Sequence, residues 1–173
     1  MLRAVLAVAL MIAPAAAAAP KGAAMTADAR LQRLEDIEQI RILLVDYGRT
    51  LDRRDIKAYA GLFARDGEWV GGFGSAKGPA AIQTMIEKAM GGTVNEGPQK
   101  NFHVMTSPRI EVDGDHGRAW SRWTFVGEDA AGKPQVLAAG RYDDELVRED
   151  GRWRFQRRVV SGDLPGAAPP QPR

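Results

Sequence analysis

The spacing of apolar residues predicts one long helix early in the chain. From Leu31 to Leu51, apolar side chains recur every three or four positions, which is the period of one helical face. The residues concerned are Leu31, Leu34, Ile37, Ile40, Leu44, Tyr47 and Leu51. Thr26 is a suitable N-cap, so we expect a helix that begins after Thr26 and ends near Leu51.

A carboxylate-rich corner follows this helix and leads into a second, shorter one. Asp52 and Asp55 flank two arginines there. Asp55 is expected to cap a helix over Ile56–Phe63, where the apolar residues again keep helical spacing. The Asp66-Gly67 pair then predicts a turn into a short strand, Glu68–Phe73.

A third helix and four further strands complete the predicted elements. Pro79 suits the first turn of a helix that ends before Gly91, and residues 91–100 form a loop long enough to be a lid. Alternating patterns separated by Asp-Gly and Ala-Gly turns then predict an antiparallel meander. Its strands are Asn101–Val112, His116–Glu128, Gln135–Arg148 and Arg152–Gly162. Pro108 predicts a bulge or an edge position in the first of them. The predicted class is α+β, with three helices packed on a strongly curved sheet.

Both ends of the chain differ from its middle. Residues 1–24 read as a secretory signal, with Arg3 before an apolar run and small residues that suit cleavage. The run is too short to span a bilayer, so we expect a periplasmic or secreted protein that does not contact the membrane after cleavage. The alternative is a cytoplasmic protein that starts at Met25. Residues 164–173 are Pro-rich and expected to be disordered, which leaves one domain over residues 25–163.

Composition removes several classes of function. The chain of 173 residues has no cysteine, so disulfides, a thiol nucleophile and thiolate metal sites are excluded. Its two histidines could give a zinc ion only one or two imidazoles. The formal net charge is +2 and the charges are interspersed, without the basic stripe of a nucleic-acid-binding protein. We expect no metal, no cofactor and no nucleic-acid partner.

Five motifs follow one another along the chain. They are Y-x4-D-x2-D with the following L-F-A-R-D-G-E-W, G-P-A-A-I at a helix start, N-F-H-x3-S at a strand start, V-D-G-D before a strand, and G-R-Y-D-D-E-L-V-R-E-D-G-R-W-R-F. In this order they resemble the SnoaL-like branch of the nuclear transport factor 2 (NTF2) superfamily, nearest to its scytalone-dehydratase-like members. The resemblance covers residues 31–160 and implies a cone of helices on a curved sheet around a pocket. Members differ in activity, so the fold alone does not define the reaction.

The resemblance also implies roles for two residues. Asp52 matches the aspartate that scytalone-dehydratase-like enzymes place at the end of the first helix. His103 matches a strand histidine that faces their pocket. This chain departs from the pattern twice, because Ser121 stands near the place of a second histidine and Leu51 stands in place of a tyrosine.

Strand alternation sorts the predicted sheet into two faces. With His103 facing the pocket, the inner set is Met105, Ser107, Gly117, Ala119, Ser121, Trp123, Ala138, Gly140, Tyr142, Trp153 and Phe155. The outer set is Trp120, Arg122, Arg141, Asp143, Arg154, Gln156 and Arg158. This charged outer face is convex. Because members of the family often dimerise through it, we expect a homodimer.

The candidate catalytic residues are His103, Asp52 and Tyr47. His103 would act as a general acid or base, and Asp52 would hold its tautomer or stabilise the imidazolium. The alternatives are a strand histidine bonded to backbone and an aspartate that only caps a helix. The hydroxyl of Tyr47 would either polarise a substrate oxygen, a role shared with Tyr142, or satisfy a core partner. His116 falls in a turn and is expected to face solvent.

Substrate-binding candidates are Trp69, Ser121, Trp123 and Tyr142, although aromatic residues of this kind are more often part of a core. Together these residues predict a cofactor-independent lyase or isomerase that acts by dehydration, double-bond shift or retro-aldol cleavage. The substrate would be a small, apolar, oxygenated compound, with an aromatic ring as one option. The alternative is a non-catalytic periplasmic protein that binds a small molecule or serves as an accessory.

Overall fold

The structure, a computed structural model, describes residues 25–90, 100–129 and 131–164. Its elements are α1 (Ala27–Asp52), α2 (Ile56–Ala60), β1 (Phe63–Gly71), β2 (Gly74–Lys77), α3 (Pro79–Met90), β3 (Phe102–Asp113), β4 (His116–Glu128), β5 (Pro134–Glu149) and β6 (Arg152–Gly162). The α+β class is confirmed. The predicted signal segment, most of the predicted lid and the predicted tail beyond residue 164 lie outside the described residues.

One mixed sheet of six strands carries the helices. The strand order is β2-β1-β6-β5-β4-β3, with β1 and β6 parallel and every other pair antiparallel. The core lies between the inner face of this curved sheet and the helices. Its fully buried members include Ile40 and Tyr47 from α1, Ile82 from α3, and Phe63 and Phe155 from the sheet.

Helix α1 begins and ends where its sequence predicts. The Oγ1 of Thr26 accepts the backbone N–H of Ala29, at 3.2 Å, and so caps the helix. Leu31 and Leu34 belong to the apolar face that the spacing predicts but do not pack in the core, since they are 57% and 64% exposed. Every residue from 25 to 35 is exposed, so the first turns of α1 project beyond the core.

The region after α1 differs from its prediction. Helix α2 has only five residues, and Asp55 caps it by accepting the N–H of Ala58 at 3.0 Å. Phe63, predicted as the end of this helix, is the first residue of β1. The predicted turn at Asp66-Gly67 is wrong, because both residues lie within β1, where its register with β6 shifts. A Cβ at Gly67 would lie 2.6 Å from the carbonyl oxygen of Phe155. Pairing with β6 therefore overrides the local turn signal.

Bulges in two other strands matter for the site. In β3, which is an edge strand, the register with β4 shifts between Thr106 and Arg109, as Pro108 predicted. In β6, Phe155 pairs with Leu146 but Arg157 pairs with Glu145, so Gln156 is an extra residue. One extra residue reverses the alternation of side chains. For this reason the prediction that Arg158 lies on the outer face is wrong.

Candidate functional site

The end of α1 and the start of β3 bring Asp52 and His103 into contact. The Oδ2 of Asp52 accepts the backbone N–H of His103 at 2.9 Å, and its Oδ1 lies 2.5 Å from Nδ1 of the same residue. Each side chain is only 11% exposed. An ionised carboxylate only accepts hydrogen bonds, so an Asp52 carboxylate requires the proton on Nδ1 and leaves Nε2 as the ring nitrogen for proton transfer.

A glycine lets α1 approach β3 at this point. A Cβ at Gly48 would lie 3.5 Å from Cβ of His103 and 3.8 Å from Cγ of Met105, which is ordinary van der Waals contact. A longer side chain at this position would therefore push the helix away from β3. Gly48 is thus part of what sets the separation between Asp52 and His103.

Aromatic rings form a continuous row beside His103. The ring of Phe125 lies 4.7 Å from the imidazole between centroids, and that of Trp123 lies 6.2 Å away. Trp123 stacks on Tyr142, with centroids 5.9 Å apart and planes inclined by 28°. Tyr142 meets Tyr47 edge-on at 5.4 Å. The acid–base pair therefore adjoins an apolar wall that suits a small apolar or aromatic ligand.

The hydroxyl of Tyr47 already has two partners in the core. It lies 2.7 Å from the hydroxyl of Tyr59 and accepts the indole N–H of Trp69 at 3.0 Å. Burial raises the pKa of the Tyr47 hydroxyl above its ordinary value, since the nearby Arg158 offsets only part of the desolvation. The catalytic role of Tyr47 and the substrate-binding role of Trp69 stay predictions, and these bonds favour a structural role for both.

A buried ion pair that the sequence analysis missed lies under this wall. Arg158 donates through Nε and Nη2 to the two carboxylate oxygens of Asp144, each at 2.7 Å, and both side chains are completely buried. Its guanidinium carbon lies 3.9 to 4.2 Å from the ring centres of Tyr47, Tyr142 and Phe155. Burial alone would lower the pKa of Arg158, but the charge and hydrogen bonds of Asp144 raise it above its ordinary value. The sequence offered one signal that Asp144 is buried, because it lies on the same face of its strand as Tyr142 and Leu146.

A second missed cluster surrounds Asp36 on α1. Its Oδ1 accepts hydrogen bonds from Arg148 at 2.6 Å, Gln32 at 3.1 Å and Trp153 at 3.2 Å. Burial acts to raise the pKa of this carboxyl, but the three hydrogen bonds outweigh it and hold the pKa below its usual value. The cluster joins α1 to the β5–β6 hairpin, and none of these hydrogen bonds involves His103.

Two other polar groups of the inner face have no hydrogen-bond partner among the described residues. Ser121 Oγ and Trp123 Nε1 are buried, and neither has a hydrogen bond within the part of the chain that the structure describes. Both residues were predicted to bind substrate, and that role stays a prediction. Tyr142, predicted with them, is buried between Trp123 and the guanidinium of Arg158.

A groove of about 650 Å³ lies at the other end of β3. Its lining is Arg33, Glu111, Val112, Asp113, His116, Gly117, Arg118, Glu145, Leu146 and Gln156. The lining contains neither Asp52 nor His103, and His116 is exposed there, as predicted. We favour the Asp52–His103 end as the site, because the candidate acid–base pair lies there and not in the groove.

Two further properties concern only residues 25–90, 100–129 and 131–164. Within them, no three His, Cys, Asp or Glu side chains are grouped so as to hold a metal ion. No helix in the same ranges is long and apolar enough to cross a membrane.

The fold is that of an NTF2-like protein of the SnoaL type. The chain belongs to the SnoaL-like domain family, whose model matches residues 32–159. It is 28% identical over 130 residues to gamma-hexachlorocyclohexane dehydrochlorinase of Sphingobium indicum, covering 74% of this chain and 81% of that enzyme.

Solved structures show the same fold. An NTF2-like protein with a cystatin-like fold from Novosphingobium aromaticivorans is 29% identical, with a TM-score of 0.68 and coverage of 80% of this chain and 88% of that one. Rv3472 of Mycobacterium tuberculosis, a protein of unknown function, is 27% identical, with a TM-score of 0.68 and coverage of 80% and 78%. A scytalone-dehydratase-like protein of N. aromaticivorans, 24% identical with a TM-score of 0.61 and coverage of 80% and 89%, shows the shared fold alone.

Proposed function

We propose that this protein is a cofactor-independent lyase or isomerase in which His103 removes a proton from carbon. The observation that carries the proposal is the double contact of Asp52 with the backbone and the ring of His103. A carboxylate fixed in this way selects one tautomer of the imidazole and directs Nε2 to act as the base. The similarity to a dehydrochlorinase supports an elimination, which is a lyase reaction.

The proposed step needs only these two side chains. Nε2 of His103 accepts the proton, and the electron pair of the broken C–H bond forms a double bond to the neighbouring carbon. In an elimination, a leaving group departs from that carbon with its bonding electrons. In an isomerisation, the proton returns at another atom. Asp52 stabilises the imidazolium that exists between these events, and a positioned base of this kind accelerates reactions by roughly 10²–10⁴-fold.

The apolar wall supports the predicted substrate class. Phe125 and Trp123 adjoin the imidazole, and low polarity around a charged intermediate strengthens its interaction with the Asp52 carboxylate. A small, largely apolar compound would fit against this wall. We therefore keep the prediction of a small apolar oxygenated substrate, with an aromatic ring as one option.

Two probe reactions test the proposal. One is chloride release from gamma-hexachlorocyclohexane, and the other is exchange of carbon-bound hydrogen for deuterium in a panel of ketones dissolved in D₂O. His103→Asn keeps an amide near Nδ1 but removes Nε2, and the exposed His116→Asn is the matched control. We expect the natural chain and His116→Asn to react, and His103→Asn to lose at least about 100-fold in rate.

The outcomes separate the two functional classes. If His103→Asn reacts as fast as the natural chain, the proposed base is wrong. If no probe reacts, and small-molecule affinity is the same in both histidine variants, the alternative of a non-catalytic binding protein replaces the proposal.

A further inference from the structure

Four apolar side chains of α1 face solvent on one side of the helix. They are Leu31, Leu34, Ile42 and Val45, and each is more than half exposed. A helix turns by about 100° per residue, which places all four within about 80° of one another. The buried side of α1, which includes Ile40 and Tyr47, faces the opposite way. Single exposed apolar residues are common, but these four form one stripe roughly 21 Å long, called here the α1 stripe.

The α1 stripe has the same apolar pattern in both directions from Glu38, which is exposed at its centre. Leu34 and Ile42 lie four residues on either side of Glu38, and Leu31 and Val45 lie seven residues on either side. A two-fold contact needs such symmetry, because both copies then use the same patch and each position meets its mirrored position on the other copy. An antiparallel pair of α1 helices centred on Glu38 sets Leu34 against Ile42, and Leu31 against Val45, of the second copy.

The charges beside the stripe suit the antiparallel arrangement. Arg41 lies 3.6 Å from Glu38, and Arg49 lies 3.8 Å from Asp46, in each case on the same helix. In the antiparallel pair, Arg41 of each copy also approaches Glu38 of the other, and Arg49 approaches Asp28 near the start of the other helix. Each arginine then lies between an acid of its own helix and an acid of the second copy. A parallel pair would instead set every charge against its own kind, which is destabilising.

We infer that the α1 stripe is a contact surface for a second copy of this chain, which packs against it as an antiparallel helix about a two-fold axis at Glu38. The contact goes beyond the proposed function and is distinct from the homodimer expected through the outer sheet face. Four apolar side chains and their flanking charges are fewer than the roughly 20–30 residues a side of a standard interface. The α1 pair should therefore form measurably only at high protein concentration.

Single cysteines can report this contact without background, because the chain has none of its own. Helices packed about 8–10 Å apart, each with a Cα radius of about 2.3 Å, bring facing Cα atoms to roughly 5 Å, which a disulfide can span. Glu38→Cys should therefore form a disulfide with the same position of the second copy under mild oxidation. Leu31→Cys and Val45→Cys should not, because each lies roughly 21 Å along the helix from its own counterpart. An equimolar mixture of these two variants should cross-link, since positions 31 and 45 face each other.

The test measures cross-linking rates of the full chain at high concentration by intact mass spectrometry. The mixed dimer of Leu31→Cys and Val45→Cys differs in mass from either self-paired dimer. Lys88→Cys, at an exposed position of α3, is the matched control for random collision. We expect Glu38→Cys and the mixed pair to cross-link at least about tenfold faster than Lys88→Cys, because a bound pair raises the effective concentration of the two thiols. Adding Leu34→Glu to Glu38→Cys should return the rate to the control value without changing the circular dichroism spectrum, since Leu34 is exposed.

Three results would overturn the inference. One is a cross-linking rate of Glu38→Cys no higher than that of Lys88→Cys. Another is self-pairing of Leu31→Cys that is faster than the mixed pairing, which would indicate a parallel or non-specific contact. The third is an intramolecular disulfide in a chain that carries both Val8→Cys and Glu38→Cys, formed faster than any link between copies. That result would assign the α1 stripe to residues 1–24 of the same chain instead of a second copy.

Discussion

Replacing Asp144 with alanine would leave the guanidinium of Arg158 as an unpaired charge in the core. Both side chains are fully buried, and the two bonds of 2.7 Å between them are the polar contacts that hold this guanidinium. Stacking on three aromatic rings compensates only part of the lost pairing, since the rings supply neither the opposite charge nor the two hydrogen bonds of the carboxylate.

The expected loss is large relative to the stability of the domain. Breaking a buried ion pair by removing one partner costs about 3–5 kcal/mol, because the remaining charge keeps its desolvation penalty. Domains of this size have a free energy of unfolding of roughly 5–15 kcal/mol. The double variant Asp144→Leu with Arg158→Met should recover most of the loss, since apolar replacement of a buried pair is often neutral.

Urea denaturation followed by circular dichroism at pH 7 measures these free energies. Glu111→Ala is the control, because its partner Arg109 is 76% exposed and the pair contributes less than about 1 kcal/mol. Finding that Asp144→Ala unfolds within about 1 kcal/mol of the natural chain would refute the reasoning. So would a double variant that is less stable than either single one.

Three further predictions concern acidity, association and the site. The pKa of Asp36 is held below its usual 3.8, so its contribution to stability is present above that pH and is lost as the pH falls through the lower folded value. Asp36→Asn should remove this acid dependence in pH-dependent unfolding and lower stability at pH 7 by about 3 kcal/mol. We propose that the outer sheet face forms a homodimer, for which Phe102, 48% exposed beside Val126 of β4, is the test position. Phe102→Glu should give a monomer in light scattering, whereas Leu34→Glu on the exposed side of α1 should not; the opposite result would move the interface to α1. Asp52→Asn should release the fixed tautomer of His103, visible in imidazole ¹⁵N spectra, and unchanged spectra would contradict the role of the carboxylate.

Much of the fold was predictable because it depends on local patterns. The helical period places α1, and the turn signals give β4 and β6 the bounds that the structure shows. The candidate pair came from a resemblance rather than from spacing, since Asp52 and His103 are 51 positions apart. Strand alternation correctly turned Ser121 and Tyr142 inward, because no bulge separates them from the buried positions on their strands.

The sequence by itself determined α1, α3 and the four strands of the meander, the inner face of the central strands and the absence of thiol chemistry. Only the tertiary structure decided which groups share the interior. Pairing with β6 turned Phe63 and Asp66-Gly67 into strand, and the extra residue at Gln156 turned Arg158 inward against Asp144. The same packing bonded the hydroxyl of Tyr47 to Tyr59 and Trp69, and left Ser121 and Trp123 without partners in the described residues. These outcomes depend on contacts between distant segments, which local periodicity does not encode.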